Sequence, residues 1–287
     1  MARRALVFGG SGQVGAALLA RLGAAGWEIT AVSREPQEGL PRVRWVRGEL
    51  AGKLALEGVF DAVFSAGPLD LFSAWYAGSG IDAPRVVAFG STSMHAKREA
   101  DDPGERELAG RLAAAEKQVF ETAAARGAAA TLLRPTLVYG VGRDRNLTRI
   151  AALARRAGFF PLPRGASGLR QPVHVDDLAA AAAAAVDSAA GAGNGYDLPG
   201  GETLPYREMV ARVLATLAPP PRLVELPGPL FRLALAAGRA TGRLQGMPPG
   251  AIARMREDLV FDPAPAARDL GYSPRPFNPT AAMFPPP

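Results

Sequence analysis

Three glycines, Gly9, Gly12 and Gly15, follow the apolar run Ala5-Leu6-Val7-Phe8 and precede a helix-like stretch from Ala16 to Ala25. This spacing suits a pyrophosphate. The glycines allow a sharp turn, bring backbone N–H groups against phosphate oxygens and let the helix pack on the strand, while the helix N-terminus adds positive potential. A dinucleotide is expected there, with Gln13 and Val14 in the same turn. Groups able to move protons are few. The chain has no cysteine, which excludes thiolate nucleophiles, disulfides and cysteine-ligated metals. Its two histidines, His95 and His174, are too few for a histidine metal site, and no metal is expected. His95 is of a type that titrates near neutral pH, whereas His174 with Asp176 and Asp177 reads as a strand-to-helix junction. Asp176 or Asp177 is the expected N-cap of the following helix.

The elements that must position these groups alternate along the chain. Strands are expected at Ala5–Phe8, Glu28–Val32, Val43–Val46, Asp61–Ser65, Arg85–Phe89, Ala130–Arg134, Val173–Val175 and Tyr196–Leu198, from β-branched or apolar runs bounded by turn residues. Helices are expected after Gly15, near Leu69–Ala77, from Glu105 to Arg126, from Asp176 or Asp177 to about Ser188, and near Tyr206–Leu217, Pro229–Arg239 and Pro249–Arg256. Strand–helix alternation demands right-handed crossovers, so the fold class is α/β, a doubly wound parallel sheet with a smaller C-terminal α/β lobe. Residues 1–157, joined by 171–199, are expected to form the nucleotide domain, and 158–170 with 200–287 the substrate lobe.

With 287 residues, 48% hydrophobic and 21% charged, the chain can bury a sizeable core. The net charge is +6, but the basic residues are scattered, so no nucleic-acid partner is expected. No apolar stretch approaches the twenty residues that span a bilayer, the Arg3-Arg4 opening has no signal-like apolar run behind it, and a cytoplasmic protein is expected. The segment Pro229–Leu235 reads as lobe packing rather than a membrane surface. A small-molecule substrate is expected, and a homodimer stays open.

Several segments in this order resemble the extended short-chain dehydrogenase/reductase family, also called the NAD-dependent epimerase/dehydratase family. They are the glycine spacing, Leu133-Arg134-Pro135-Thr136-Leu137-Val138-Tyr139-Gly140, Gln171-Pro172-Val173-His174-Val175-Asp176-Asp177, Gly200-Gly201-Glu202-Thr203 and Asp269-Leu270-Gly271-Tyr272. The texture is most similar to atypical members, including those like the 39 kDa accessory subunit of respiratory complex I. The resemblance implies cofactor contacts at Ser33 and Arg34, at Glu49 and Leu50 near adenine, at Ser65, Ala66 and Gly67 beside the ribose, and at Pro135 and Leu137. The second strand ends in Ser33-Arg34 rather than a carboxylate, which favours NADP(H) over NAD(H), because arginine pairs with a 2′-phosphate.

The family's catalysis uses a tyrosine four residues before a lysine. Lys117, with Glu121 in KxxxE spacing, is the candidate lysine, for catalysis and for the nicotinamide ribose, but Ala113 stands where the tyrosine belongs. In the family's SSxxVYG-like pattern Ser91 takes the substrate-orienting place and His95 that of the tyrosine, a substitute acid or base. Arg134 is expected to pair structurally. The resemblance implies an NADP(H)-binding oxidoreductase or sugar-nucleotide-epimerase-like enzyme acting on a polar small molecule; the alternative is a sensor or assembly protein that binds NADP without chemistry.

Overall fold

The computed structural model describes residues 2–286 except 53, 55, 145 and 241–253, and omits the side chains of 234, 235 and 237–240. The strands are β1 Arg4–Phe8, β2 Glu28–Ser33, β3 Val43–Arg47, β4 Ala62–Ser65, β5 Arg85–Phe89, β6 Ala129–Pro135, β7 Val138–Tyr139, β8 Phe159–Pro163, β9 Leu169–Arg170, β10 Val173–His174, β11 Asn194–Leu198, β12 Leu204–Pro205 and β13 Arg222–Leu226. The helices used below are α1 Gln13–Ala24, α2 Leu69–Gly78, α3 Ser93–Ala96, α4 Pro103–Ala125, α5 Leu147–Ala157, α6 Val175–Asp187 and α7 Tyr206–Ala215.

The chain divides into two units. The first comprises Met1–Val138, Val173–Pro199 and Phe261–Arg275; the second comprises Tyr139–Pro172, Gly200–Val260 and Pro276–Pro287. The expected boundary after residue 157 is thereby corrected: 139–157 belongs with the second unit, because α5 packs on α7 and β8, and Phe261–Arg275 belongs with the first.

The first unit is the doubly wound sheet, with order β11-β6-β5-β4-β1-β2-β3 and every pair parallel. Alternation along the strands explains its two faces. In β1, Ala5 and Val7 join the core under α1 and α6, while Leu6 and Phe8 join the core under α2 and α4. The order reverses between β4 and β1, the crevice position where open α/β sheets take ligands at their carboxyl ends. Helix α4 begins two residues before its expected start, since Asp102 caps it, accepting from the N–H groups of Gly104 and Glu105 at 2.8 and 3.3 Å.

The N-cap of α6 is His174 rather than Asp176 or Asp177. Its Nδ1 accepts from Asp176 N–H at 3.2 Å, and Asp177 instead holds the Arg275 guanidinium at 2.9 Å. Burial, the largest influence, lowers the His174 pKa below the usual imidazole value, partly countered by the Asp176 charge.

The second unit pairs β8 with β13 in parallel and β9 with β12 antiparallel. Arg212 on α7 holds the Glu202 carboxylate through both terminal nitrogens at 2.7 and 2.8 Å. The helix expected near Pro249–Arg256 falls largely on 241–253, outside the described residues. Of the Pro229–Leu235 segment, Phe231 is buried while Leu230 and Leu233 are exposed. Among the described residues no helix is long and apolar enough to cross a membrane.

Candidate functional site

Because the seven strands run parallel, their carboxyl ends share one edge, and the chain turns that follow them are neighbours. At β1 this turn is glycine because backbone has to meet backbone there. Gly9 has a φ of +71°, and a Cβ on it would stand 2.7 Å from the Ala66 carbonyl carbon and 2.8 Å from Gly67 N. A Cβ on Gly15 would be driven into the Gly9 carbonyl. The turn closes by Gly12 N–H donating to the Gly9 carbonyl at 2.9 Å. Gly12 then serves as N-cap of α1 and no side chain caps that end, so first-turn N–H groups and the helix dipole face the sheet edge.

Two oxygens beside this turn are buried without a hydrogen-bond partner, Gln13 Oε1 and Ser65 Oγ. Buried polar atoms are ordinarily satisfied, so such orphans point to a group these residues would bind. Leu50 lies against Gly67, its Cδ1 3.2 Å from where a Cβ there would sit, while Glu49 is exposed. Ser33 is buried at the end of β2, with its carbonyl accepting from Gly48 N–H at 2.9 Å, and Arg34 after it is exposed. Arg47 is in register with Ser33, which brings a second arginine to the same corner. A dinucleotide fits this arrangement: a glycine turn at a helix N-terminus for the pyrophosphate and unsatisfied oxygens for its hydroxyl groups.

The turn after β5 carries the hydroxyls. Ser91 Oγ accepts from Ser93 N–H at 3.1 Å, and Thr92 Oγ1 donates to the Pro135 carbonyl at 3.2 Å, tying this turn to the end of β6. Leu137 follows, its carbonyl accepting from Val173 N–H at 2.9 Å. His95, in the single turn of α3, has a partner that the sequence did not suggest: its Nε2 lies 3.4 Å from Asp197 Oδ1 at the end of β11. Asp197 Oδ1 is buried and makes no full hydrogen bond, and the Arg134 Nη1 stands 3.6 Å away. Arg134 in turn grips Glu116 on α4 with Nε and Nη2, at 2.9 and 2.7 Å. Burial is the largest influence on the Arg134 pKa and lowers it, but Glu116 and then Asp197 outweigh it and leave the guanidinium raised. The expectation that Arg134 pairs structurally is met.

Lys117 is a correction. Its side chain is 75% exposed and its Nζ lies 3.5 Å from Glu121 on the solvent side of α4. One residue along a helix turns the side chain by about 100°, so with Glu116 facing β6, Lys117 faces away. The positions sharing the Glu116 face at spacings of four and eight are Leu112 and Leu108, both half-buried. That face therefore carries neither a lysine nor a tyrosine. Tyr139 is buried in the second unit against Phe277, ring centroids 4.9 Å apart.

Sequence reasoning missed Asp197, Glu116 and the reach of Arg134. The available signals were a carboxylate in the buried strand Tyr196-Asp197-Leu198 and glycines that make room for the pair. A Cβ on Gly90 would lie 2.8 Å from Glu116 Oε1, and one on Gly195 would strike the Arg134 guanidinium. Among the described residues no group of three or more potential metal ligands comes together.

Known proteins resemble this chain. A 2-alkyl-3-oxoalkanoate reductase of Stenotrophomonas maltophilia (strain K279a) is 28% identical over 94% of each chain. NADH dehydrogenase [ubiquinone] 1 alpha subcomplex subunit 9 of Arabidopsis thaliana is 35% identical over 38% of this chain and 27% of that one. In three dimensions an epimerase from Methanothermobacter thermautotrophicus superposes with a TM-score of 0.71 at 15% identity, covering 98% of this chain and 90% of that one. The family model for the NAD dependent epimerase/dehydratase family matches residues 5–67 and 63–198, the span that holds both the glycine turn and Asp197. The chain belongs to the NAD-dependent epimerase/dehydratase family, whose enzymes work with a nicotinamide cofactor.

Proposed function

We propose that this protein is an NADP(H)-dependent oxidoreductase that reduces the carbonyl of a polar or anionic small molecule, with Ser91 orienting the substrate and His95 supplying the proton. The observation that carries this reading is the common sheet edge: the glycine turn with its orphaned Gln13 and Ser65 oxygens stands after β1 and β4, and Ser91 and His95 stand after β5, the adjacent strand. When bound, the nicotinamide supplies hydride to a carbonyl carbon. Gly9, Gly12, Gln13, Val14 and Gly15 would hold the pyrophosphate, and Ser65, Ala66 and Gly67 the adenosine ribose. Glu49 and Leu50 would hold the adenine, and Pro135 and Leu137 would flank the nicotinamide end. Arg34 would pair with the 2′-phosphate. Ser91 Oγ already accepts one hydrogen bond, so its proton is available for the substrate oxygen. The chain's likeness to a reductase of 2-alkyl-3-oxoalkanoates over almost its whole length supports a 3-oxo acid derivative over a sugar nucleotide.

The test is oxidation of NADPH with methyl 3-oxooctanoate, alongside a panel of sugar nucleotides. His95→Ala is expected to lower kcat about 100-fold, the ordinary worth of a general acid, and Ser91→Ala about 10-fold. Arg34→Ala is expected to reduce the preference for NADPH over NADH about 10-fold, which is the loss of about one charged hydrogen bond. Turnover unchanged in both Ser91→Ala and His95→Ala would sink the catalytic assignment.

A second reading, a dinucleotide-binding protein without turnover, is favoured by Leu108 and Leu112 on the inward face of α4 and by the partial likeness to a respiratory-complex subunit. It predicts tight NADPH binding with no hydride transfer to any panel member, and one stereospecific transfer would exclude it.

A further inference from the structure

We infer that Asp197, anchored by Arg134 and Glu116, is the positioning residue of His95, so that a half-buried carboxylate on β11 takes over the orienting task that a lysine performs elsewhere in the family. The inference rests on the reading of His95 as the proton donor. Its observation is separate: Asp197 Oδ1 is buried and short of a full hydrogen bond, and of the side chains around it His95 Nε2 stands at 3.4 Å and Arg134 Nη1 at 3.6 Å.

The geometry divides the work. Glu116 neutralises Arg134 through two short hydrogen bonds, and the remaining arm of Arg134 faces Asp197. Arg134 thus stands against Asp197 on the side where its Oδ1 is buried and helps to fix it there. Asp197 Oδ1 faces His95 Nε2 at 3.4 Å, close enough to orient the ring with Nε2 toward the carboxylate and Nδ1 toward the substrate side. The Phe261 ring, 6.3 Å from the imidazole centroid, flanks it. In the reduction, the Nδ1–H bond of the imidazolium breaks as an O–H bond forms on the carbonyl oxygen that has gained the electron pair, and water returns the proton to a ring that is 44% exposed. His95 and Asp197 are far apart in sequence; His95 follows β5 and Asp197 lies on β11, with β6 and its Arg134 paired between those two strands.

The experiment compares Asp197→Asn with wild type in kinetics and Asp197→Ala with wild type by NMR. Asp197→Asn is expected to lower kcat about 10-fold to 100-fold, with the KM for NADPH unchanged and with no further loss when placed in His95→Ala. A loss of the same size in the His95→Ala background would overturn the proposal, because a positioning residue acts through the group it positions. The second arm needs no turnover. In protein carrying 15N-histidine, with His174 assigned by His174→Asn, the His95 Nε2–H resonance is expected to be visible and protected from exchange in wild type and lost in Asp197→Ala. An equal resonance in Asp197→Ala, or none in wild type, would overturn the contact. If wild type turns over nothing, the oxidoreductase reading fails while this second arm still decides the role of Asp197.

Discussion

The β1–α1 turn and the inward face of α4 flank one sheet, and they differ in what they present to it. In the turn, backbone atoms bind and glycine is demanded by contact: Gly9 meets Ala66 and Gly67, and Gly15 meets the Gly9 carbonyl. On α4 side chains face the sheet, and Leu108 and Leu112 are half-buried on the face from which Glu116 reaches Arg134. A binding function made from backbone resists substitution because any Cβ collides. A catalytic function made from side chains can be moved elsewhere without disturbing the packing, and the proposed pair of His95 with Asp197 would be such a second place. The polar contact that α4 makes there is the Glu116–Arg134 ion pair, which packs the helix on the sheet.

The sharpest way to break this comparison is at the ion pair. Arg134→Ala leaves Glu116 buried without a partner and is expected to cost about 3–5 kcal/mol in denaturant unfolding. Replacing both, as Arg134→Met with Glu116→Leu, is expected to recover most of that stability. If the double replacement restored hydride transfer as well as stability, the network would have no part in orienting His95.

Next in size, Gly15→Ala is expected to cost about 1–3 kcal/mol of stability from overpacking, with NADPH affinity falling about 10-fold or more, read by fluorescence titration. Unchanged binding would show that the turn is not where the cofactor sits.

A smaller effect is expected at His174, where burial lowers the imidazole pKa in the folded state. The unfolded chain then binds the proton more readily, so stability is full above the unfolded pKa of about 6.5 and falls as pH drops through that value. His174→Asn keeps a capping side chain and removes the titration. Thermal melts between pH 8 and pH 5 are expected to show wild type losing more stability than the variant. Equal losses would place the acid sensitivity elsewhere.

Smallest of all, Lys117→Ala is expected to change stability by less than about 0.5 kcal/mol, as for an exposed i,i+4 pair, and to leave turnover and NADPH affinity intact. A large loss of kcat would restore the lysine to the site and end the contrast between the two regions.

Much of the first unit was legible from local pattern. The first five expected strands lie within a residue of β1 to β5, because apolar runs ending in glycine or small residues announce buried parallel strands. In the second unit, α5 was legible though not among the expected helices: its buried Leu147, Ile150, Ala151 and Ala154 follow helical spacing, with Arg149, Arg155 and Arg156 on other faces. The β8–β13 pairing was not readable, since Pro161 and Pro163 look like loop and the partner strand lies at Arg222–Leu226. His174 displaced the aspartates as N-cap because a histidine acceptor on the preceding residue reaches Asp176 N–H.

By itself the sequence determined the glycine turn, the alternating strands and helices, the lack of cysteine chemistry and the Ala113 that stands four residues before Lys117, all of them properties of neighbours along the chain. Tertiary structure decided the rest: that Lys117 faces solvent while Glu116 faces Arg134, that two oxygens beside the turn are left unsatisfied, and that Asp197 stands beside His95. The physical reason is that the direction in which a helix residue points, and the partner that a buried carboxylate finds, depend on which strands lie side by side, and parallel pairing joins segments whose separation in sequence carries no local signal.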